Sequence, residues 1–233
     1  AELQNDCSKY FKISPDETLR ITQELYEKKL VTYPRTDARV LSSAVAKEIY
    51  KNISGLRRYL MIDNAADEIL QMGSYKTIAK TRYVNDKQIT DHYAIIPTGQ
   101  GLGALKGLSL TAQRVYETIV RRFLSIFYPP AVYQKVSLVT KMENESFFSS
   151  FKVLLSEGYL KIAANSFAKK SMAEASGKTP ESEGEGEVSC DEALLAALQK
   201  LKKGDILNIN GLGIKEGETS PPKRYNSGSM ILA

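Results

Sequence analysis

The 233-residue sequence has no tryptophan, one histidine (His92) and only two cysteines. Cys7 and Cys190 lie far apart and belong to no Cys-x-x-Cys pair, so neither a zinc site nor a disulfide framework is expected. A reduced, cytoplasmic protein is the reading that cysteine usage supports. No apolar run approaches the roughly 20 residues that span a bilayer, and no membrane contact is expected. The first residues, Ala1-Glu2-Leu3-Gln4-Asn5-Asp6, lack the basic and apolar regions of a secretory signal, and they lack an initiator methionine. An excised piece of a longer protein is expected. The hydrophobic fraction of 42% is enough to build a core.

The net charge of +5 is unevenly spread. Residues 171–192 carry seven carboxylates against Lys178, a balance of −6, which leaves +11 on the rest. A basic body of this kind is compatible with a polyanionic partner, and equally with simple solubility.

Periodicity and turn chemistry suggest α+β organisation. Ser14-Pro15-Asp16-Glu17 reads as an N-cap, a proline at the first helical position and a capping box. The helix should run to about Lys29, with Leu19, Leu25 and Tyr26 inward. Further helices are expected over about 42–52, with Val45, Ile49 and Ile53 inward, and over 57–73, with Leu60 and Leu70 inward. Thr98-Gly99-Gln100-Gly101-Leu102-Gly103 lacks the Walker spacing and reads as a connector. A long helix from about Thr111 to Tyr128, apolar at Val115, Ile119, Phe123 and Phe127, should stop at Pro129-Pro130. Strands are expected at 132–139, 147–155, 159–162, 205–210 and 213–218, and a short helix at 191–201. Residues 168–187, rich in Ser, Glu, Gly and Lys, read as a mobile insertion.

The stretch Leu30-Val31-Thr32-Tyr33-Pro34-Arg35-Thr36-Asp37 carries the chemistry. Proline pushes the residue before it out of the helical region, so Tyr33 should sit on extended backbone. Residues i and i+2 of an extended segment point to the same side, which would let Tyr33 and Arg35 face one point. An unperturbed phenol has a pKa of about 10, so a tyrosine nucleophile needs positive charge or a proton acceptor close by. Arg35 supplies the charge, and Asp37 could orient Arg35 through a paired hydrogen bond. Asp91-His92-Tyr93-Ala94-Ile95-Ile96-Pro97-Thr98 is the second constellation.

The octapeptide resembles the active-site tyrosine motif of type IA DNA topoisomerases, in the form with proline after tyrosine that is similar to the topoisomerase III branch. The His92 stretch resembles the family's histidine motif, with Tyr93 in place of a more usual polar residue. Val115 to Pro130 and Gly217 to Tyr225 resemble the helix that closes the tyrosine domain and the passage back beside the DNA gate. The resemblance implies Tyr33, Arg35 and His92 as catalytic residues, Arg35, His92 and Arg224 as DNA contacts, and Asp37 in support. It implies a helical tyrosine domain over 1–130 and a small antiparallel β arch domain over 131–219, with an acidic insertion near 164–190. Residues 220–233 would be the truncated start of the following domain. It implies a monomer that acts on single-stranded DNA through a 5′-phosphotyrosyl intermediate, without ATP. Mg²⁺ would be held by the parent's Toprim domain, whose Asp-x-Asp cluster does not occur here. The isolated chain is therefore expected to be inactive, with no metal site of its own. The alternative is a non-catalytic single-stranded nucleic-acid-binding module. A tyrosine recombinase fits poorly, since that chemistry needs several spaced arginines and histidines. A purely structural domain would not explain two matched motifs. Arg121, Arg122, Lys223 and Arg224 could touch phosphates, although solvated surface is the expected role for most of them.

Overall fold

Ser14 starts the helix that delivers the chain to the tyrosine segment. Its hydroxyl accepts the backbone N–H of Glu17 at 3.1 Å, and Pro15 opens the helix where a missing N–H costs nothing. In the computed structural model, which describes residues 1–163, 188–189, 192–211, 213–214, 216–219, 221–222 and 224–233, this is the second of five α-helices in the first 130 residues. They are α1 (Glu2–Phe11), α2 (Pro15–Glu27), α3 (Ser43–Gly55), α4 (Ala65–Met72) and α5 (Leu110–Ser125). With a helical turn α6 (Leu160–Ala163) and a last one at Ser227–Met230, they belong to one compact unit: Ala1–Pro130, Gly158–Gly177 and Tyr225–Ala233.

Helix α5 is the axis of that unit. Val115, Tyr116, Val120 and Leu124 are fully buried, with Ile119, Phe123 and Phe127 beside them. Helices α1, α2, α4 and α6 pack on it, and α3 packs on α4. Arg121, whose expected role was at the surface, is in the core. Its guanidinium lies 2.6 Å from Glu117 and also donates to the carbonyls of Met61 and Ile162. A buried guanidinium is tolerated only when its donors are used, and here they tie α5 to two neighbouring turns.

Several expected elements differ. Tyr26 is 39% exposed, because the buried stripe of α2 runs through Thr18, Ile21, Thr22 and Leu25. Glu17 does not close a capping box; its carboxylate lies 3.9 Å from Arg20. The helix expected over 57–73 is interrupted. Two 3₁₀ turns, Leu56–Arg58 and Leu60–Ile62, precede α4, and Asp63 takes a φ of 49° that no helix continues through. Leu60 is consequently 88% exposed rather than inward. Residues 159–162, expected as a strand, lead into and form most of α6, and just before it the N–H of Tyr159 bonds to Pro129 O at 2.9 Å.

The second unit comprises Ala131–Glu157 and Lys178–Arg224. Its strands β1 (Val132–Met142) and β2 (Glu145–Ser156) form an antiparallel hairpin in which Met142 pairs with Glu145. Its turn holds Glu143 at a φ of 53°. β3 (Val188–Ser189) pairs with β2 in parallel, and a helix spans Glu192–Lys200. The strands expected at 205–210 and 213–218 are absent among the described residues there. Ile206 and Ile214 are almost fully exposed, and a segment that finds no ladder partner among the described residues gains nothing from becoming a strand. The insertion read at 168–187 lies outside the described residues.

Arg121→Ala should leave Glu117 in the core without its guanidinium and cost about 3–5 kcal/mol, read as a lowered urea midpoint.

Candidate active site

The last turn of α2 sets the site. The N–H of Lys28 bonds to Glu24 O, Lys29 adopts a φ of 61°, and the N–H of Leu30 returns to Leu25 O. The left-handed residue turns the chain out of the helix. Leu30 and Val31 then enter the core at 0% and 1% exposure, and the tyrosine segment begins.

Residues 30–40 run antiparallel to residues 98–92. The N–H of Thr32 bonds to Ile96 O at 2.9 Å, that of Thr98 to Leu30 O at 3.0 Å, and that of Ala94 to Val40 O at 2.9 Å. Only one true bridge forms, Val31 with Pro97. Three threonine hydroxyls do the rest. Thr32 accepts the N–H of Ile96 at 2.9 Å and donates to Ala94 O. Thr36 donates to His92 O at 2.9 Å and accepts the N–H of Ala38. Thr98 donates to Lys29 O and accepts the N–H of Gln100. Asn52, from α3, donates to Pro97 O at 2.9 Å. The glycines of the following connector allow close approach. Gly99, at a φ of 77°, lies against Gly55, where a Cβ would collide with the Gly99 carbonyl.

This pairing brings Tyr33 and His92 together. Their ring centroids are 4.4 Å apart at an interplanar angle of 43°. On the other ring contact, Tyr26 meets Tyr33 edge-to-face at 5.5 Å and 84°. Tyr33 is half-buried and outside any helix, as expected from Pro34. Bends at Thr32 and Pro34 break the strand alternation; Arg35 is exposed and shares a cavity wall with His92 that Tyr33 does not line. Arg35 and Asp37 form no ion pair; both are exposed, and a surface pair gains little in water.

That cavity, of about 970 Å³, also has Arg39, Arg82 and Arg122 in its wall, offset by Glu2, Asp6, Asp37 and Asp91. Arg39 pairs with Glu2 at 3.0 Å. Tyr93 packs against the core, and burial pushes its phenol pKa up, so it is a structural member of the histidine motif. Burial likewise pushes the Cys7 thiol up to about 12, which makes it a poor nucleophile. Arg224 is exposed in the second unit. Among the described residues, no three His, Cys, Asp or Glu side chains are placed to hold a metal ion. Nor is any described helix long and apolar enough to cross a membrane. Sequence reasoning missed the three threonines as the site's fasteners and Tyr26 as its second ring. The signal for the threonines was present, since each sits in one of the two motifs opposite a proline-interrupted ladder.

Thr32→Val should strip Ile96 of its acceptor and cost about 1–3 kcal/mol, while Thr32→Ser retains the bond. Hydrogen exchange at the Ile96 amide checks this, with protection lost in the first variant and kept in the second.

Comparison with known proteins places these features. The chain is 36% identical over 233 residues to DNA topoisomerase 3 of Bacillus licheniformis, 34% to that of Bacillus subtilis (strain 168), and 32% over 236 residues to that of a strain of Bacillus cereus. Each alignment covers 100% of this chain and 29% of the relative, so the chain spans less than a third of the length of these proteins. The DNA topoisomerase family profile matches residues 1–233, and the chain belongs to that family.

Proposed function

We propose that this chain is the tyrosine-bearing part of a type IA DNA topoisomerase, with Tyr33 as the nucleophile. The observation that carries this reading is the contact of the Tyr33 and His92 rings at 4.4 Å, which joins two motifs distant in sequence. The phenol oxygen of Tyr33 attacks a phosphodiester of single-stranded DNA. A bond forms between that oxygen and phosphorus, the bond from phosphorus to the 3′ oxygen breaks, and the leaving oxygen takes a proton to become a 3′-hydroxyl. The 5′-phosphate remains on Tyr33. Because the new ester conserves the energy of the old one, the 3′-hydroxyl reseals the strand without ATP. His92 is exposed beside the ring, where it can hydrogen bond the phosphate or move a proton. Arg35, exposed in the same wall as His92, meets the phosphate with its fork of donors. Arg224 and the basic surface contact the strand's backbone, which makes binding salt-dependent and tolerant of sequence. In this reading the β unit is part of an arch that carries the tyrosine domain away from the rest. Mg²⁺ is held by a Toprim domain of the same parent protein, which works as a monomer in the cytoplasm.

The test is a covalent-adduct assay on the full-length protein containing this chain. Single-stranded DNA labelled on either side of the cleavage site is incubated with Mg²⁺, denatured and mapped by peptide mass. A 5′-phosphate on the Tyr33 peptide, lost in Tyr33→Phe, is the expected result. An adduct that survives Tyr33→Phe, or none at all, leaves only the reading of a non-catalytic strand-binding module. The isolated 233-residue chain should show no Mg²⁺-dependent nicking on a supercoiled plasmid. Nicking that Tyr33→Phe abolishes would overturn the assignment of the metal to another domain.

A further inference from the structure

We infer that Tyr26 is a positioning residue for Tyr33, acting through its ring and not its hydroxyl; this rests on the reading of Tyr33 as the nucleophile. Tyr26 is anomalous where it stands. It follows Leu25, which is fully buried, yet is itself 39% exposed and is not part of the core. Its ring contact is with Tyr33, edge-to-face at 5.5 Å. Among the described residues, its hydroxyl has no hydrogen-bond partner. Its backbone carbonyl accepts the N–H of Lys29 at 2.8 Å, at the turn that sends the chain out of α2. Tyr26 is therefore anchored at the pivot of the turn, seven residues before the phenol it touches.

The arrangement answers a mechanical problem. Tyr33 lies on irregular backbone between bends at Thr32 and Pro34, with no helix or ladder to restrict its side chain. An aromatic ring there has more than one staggered χ1 well available. His92 covers one flank at 4.4 Å, but His92 is itself exposed. The Tyr26 ring, held by the helix end, supplies a second ring contact. A phenol whose ring is held by two ring contacts has fewer rotamers open to it, which helps keep its oxygen on the line of approach that in-line attack on phosphorus requires. An edge-to-face pair favours the gripped rotamer by up to about tenfold.

The experiment uses the full-length protein and single-turnover cleavage of a labelled single-stranded oligonucleotide with Mg²⁺. Oligonucleotide affinity is measured separately in a Tyr33→Phe background, where cleavage does not interfere. Tyr26→Ala and Tyr26→Leu should lower the cleavage rate constant by about tenfold and leave Kd within about twofold. Tyr26→Phe should restore the rate, since it keeps the ring. The Leu variant also keeps side-chain bulk and helix propensity, so it decides the matter if Tyr26→Ala fails to fold. Wild-type rates in both variants overturn the inference. So does a loss of affinity that accounts for the loss of rate, which would make Tyr26 a strand-binding residue. A Tyr26→Phe rate as low as that of Tyr26→Leu assigns the effect to the hydroxyl and also overturns it. An adduct that persists in Tyr33→Phe defeats the underlying reading of Tyr33, and is distinguishable from all of these because it appears before any Tyr26 variant is made.

Discussion

The threonine-fastened pairing of residues 30–40 with 92–98 is the constraint on which the site depends. Two prolines, Pro34 and Pro97, remove backbone donors from a stretch that would otherwise form a regular ladder. Polar backbone groups in a partly buried place must still find partners. The hydroxyls of Thr32, Thr36 and Thr98 provide them, each both donating and accepting. A hydroxyl can do both, and that is why threonine suits each of these positions. Loosening this seam would separate Tyr33 from His92 without touching either residue.

The helices serve the seam from behind. Helix α3 reaches it through Asn52 and through the backbone approach of Gly55 to Gly99, while α2 sets its starting direction through Lys29. Helix α5 holds the frame, and its buried Arg121 directs its donors to Glu117 and to the carbonyls of Met61 and Ile162. A second tie, Glu68 accepting from Tyr128 and Lys161, joins α4 to the end of α5 and to α6. Its carboxyl is held below the usual carboxylate range, chiefly by Lys161 and then by Tyr128. The site is thus an irregular segment held against a regular scaffold, a division of labour suited to placing reactive groups.

Much of this was legible in the residues. The Ser14 N-cap of α2, the apolar stripe of α5 and the strands β1 and β2 follow local rules, and these formed, although the Glu17 half of the α2 capping box did not. The misreadings share a cause. Spacing places Leu60 and Tyr26 inward, and the residues at 205–210 and 213–218 read as strands. Periodicity shows which residues share a face, but says nothing of whether another element covers that face. Arg121 was misjudged for the converse reason, because a charged residue on an apolar helix is read as exposed until three acceptors are found around it.

By itself, the sequence determined the two motifs, the turn that places Tyr33 outside a helix, and the family, since these rest on motif and short-range sterics. Only the tertiary structure decided who meets whom. It set Tyr33 against both Tyr26 and His92, put Arg35 in a cavity wall that it shares with His92, and left Asp37 without an ion pair to Arg35. Those outcomes depend on two bends and on hydrogen bonds between segments some sixty residues apart, such as Thr32 with Ile96 at a separation of 64. No local rule reaches that far, because the direction of a side chain on irregular backbone is fixed by the partners that fold against it.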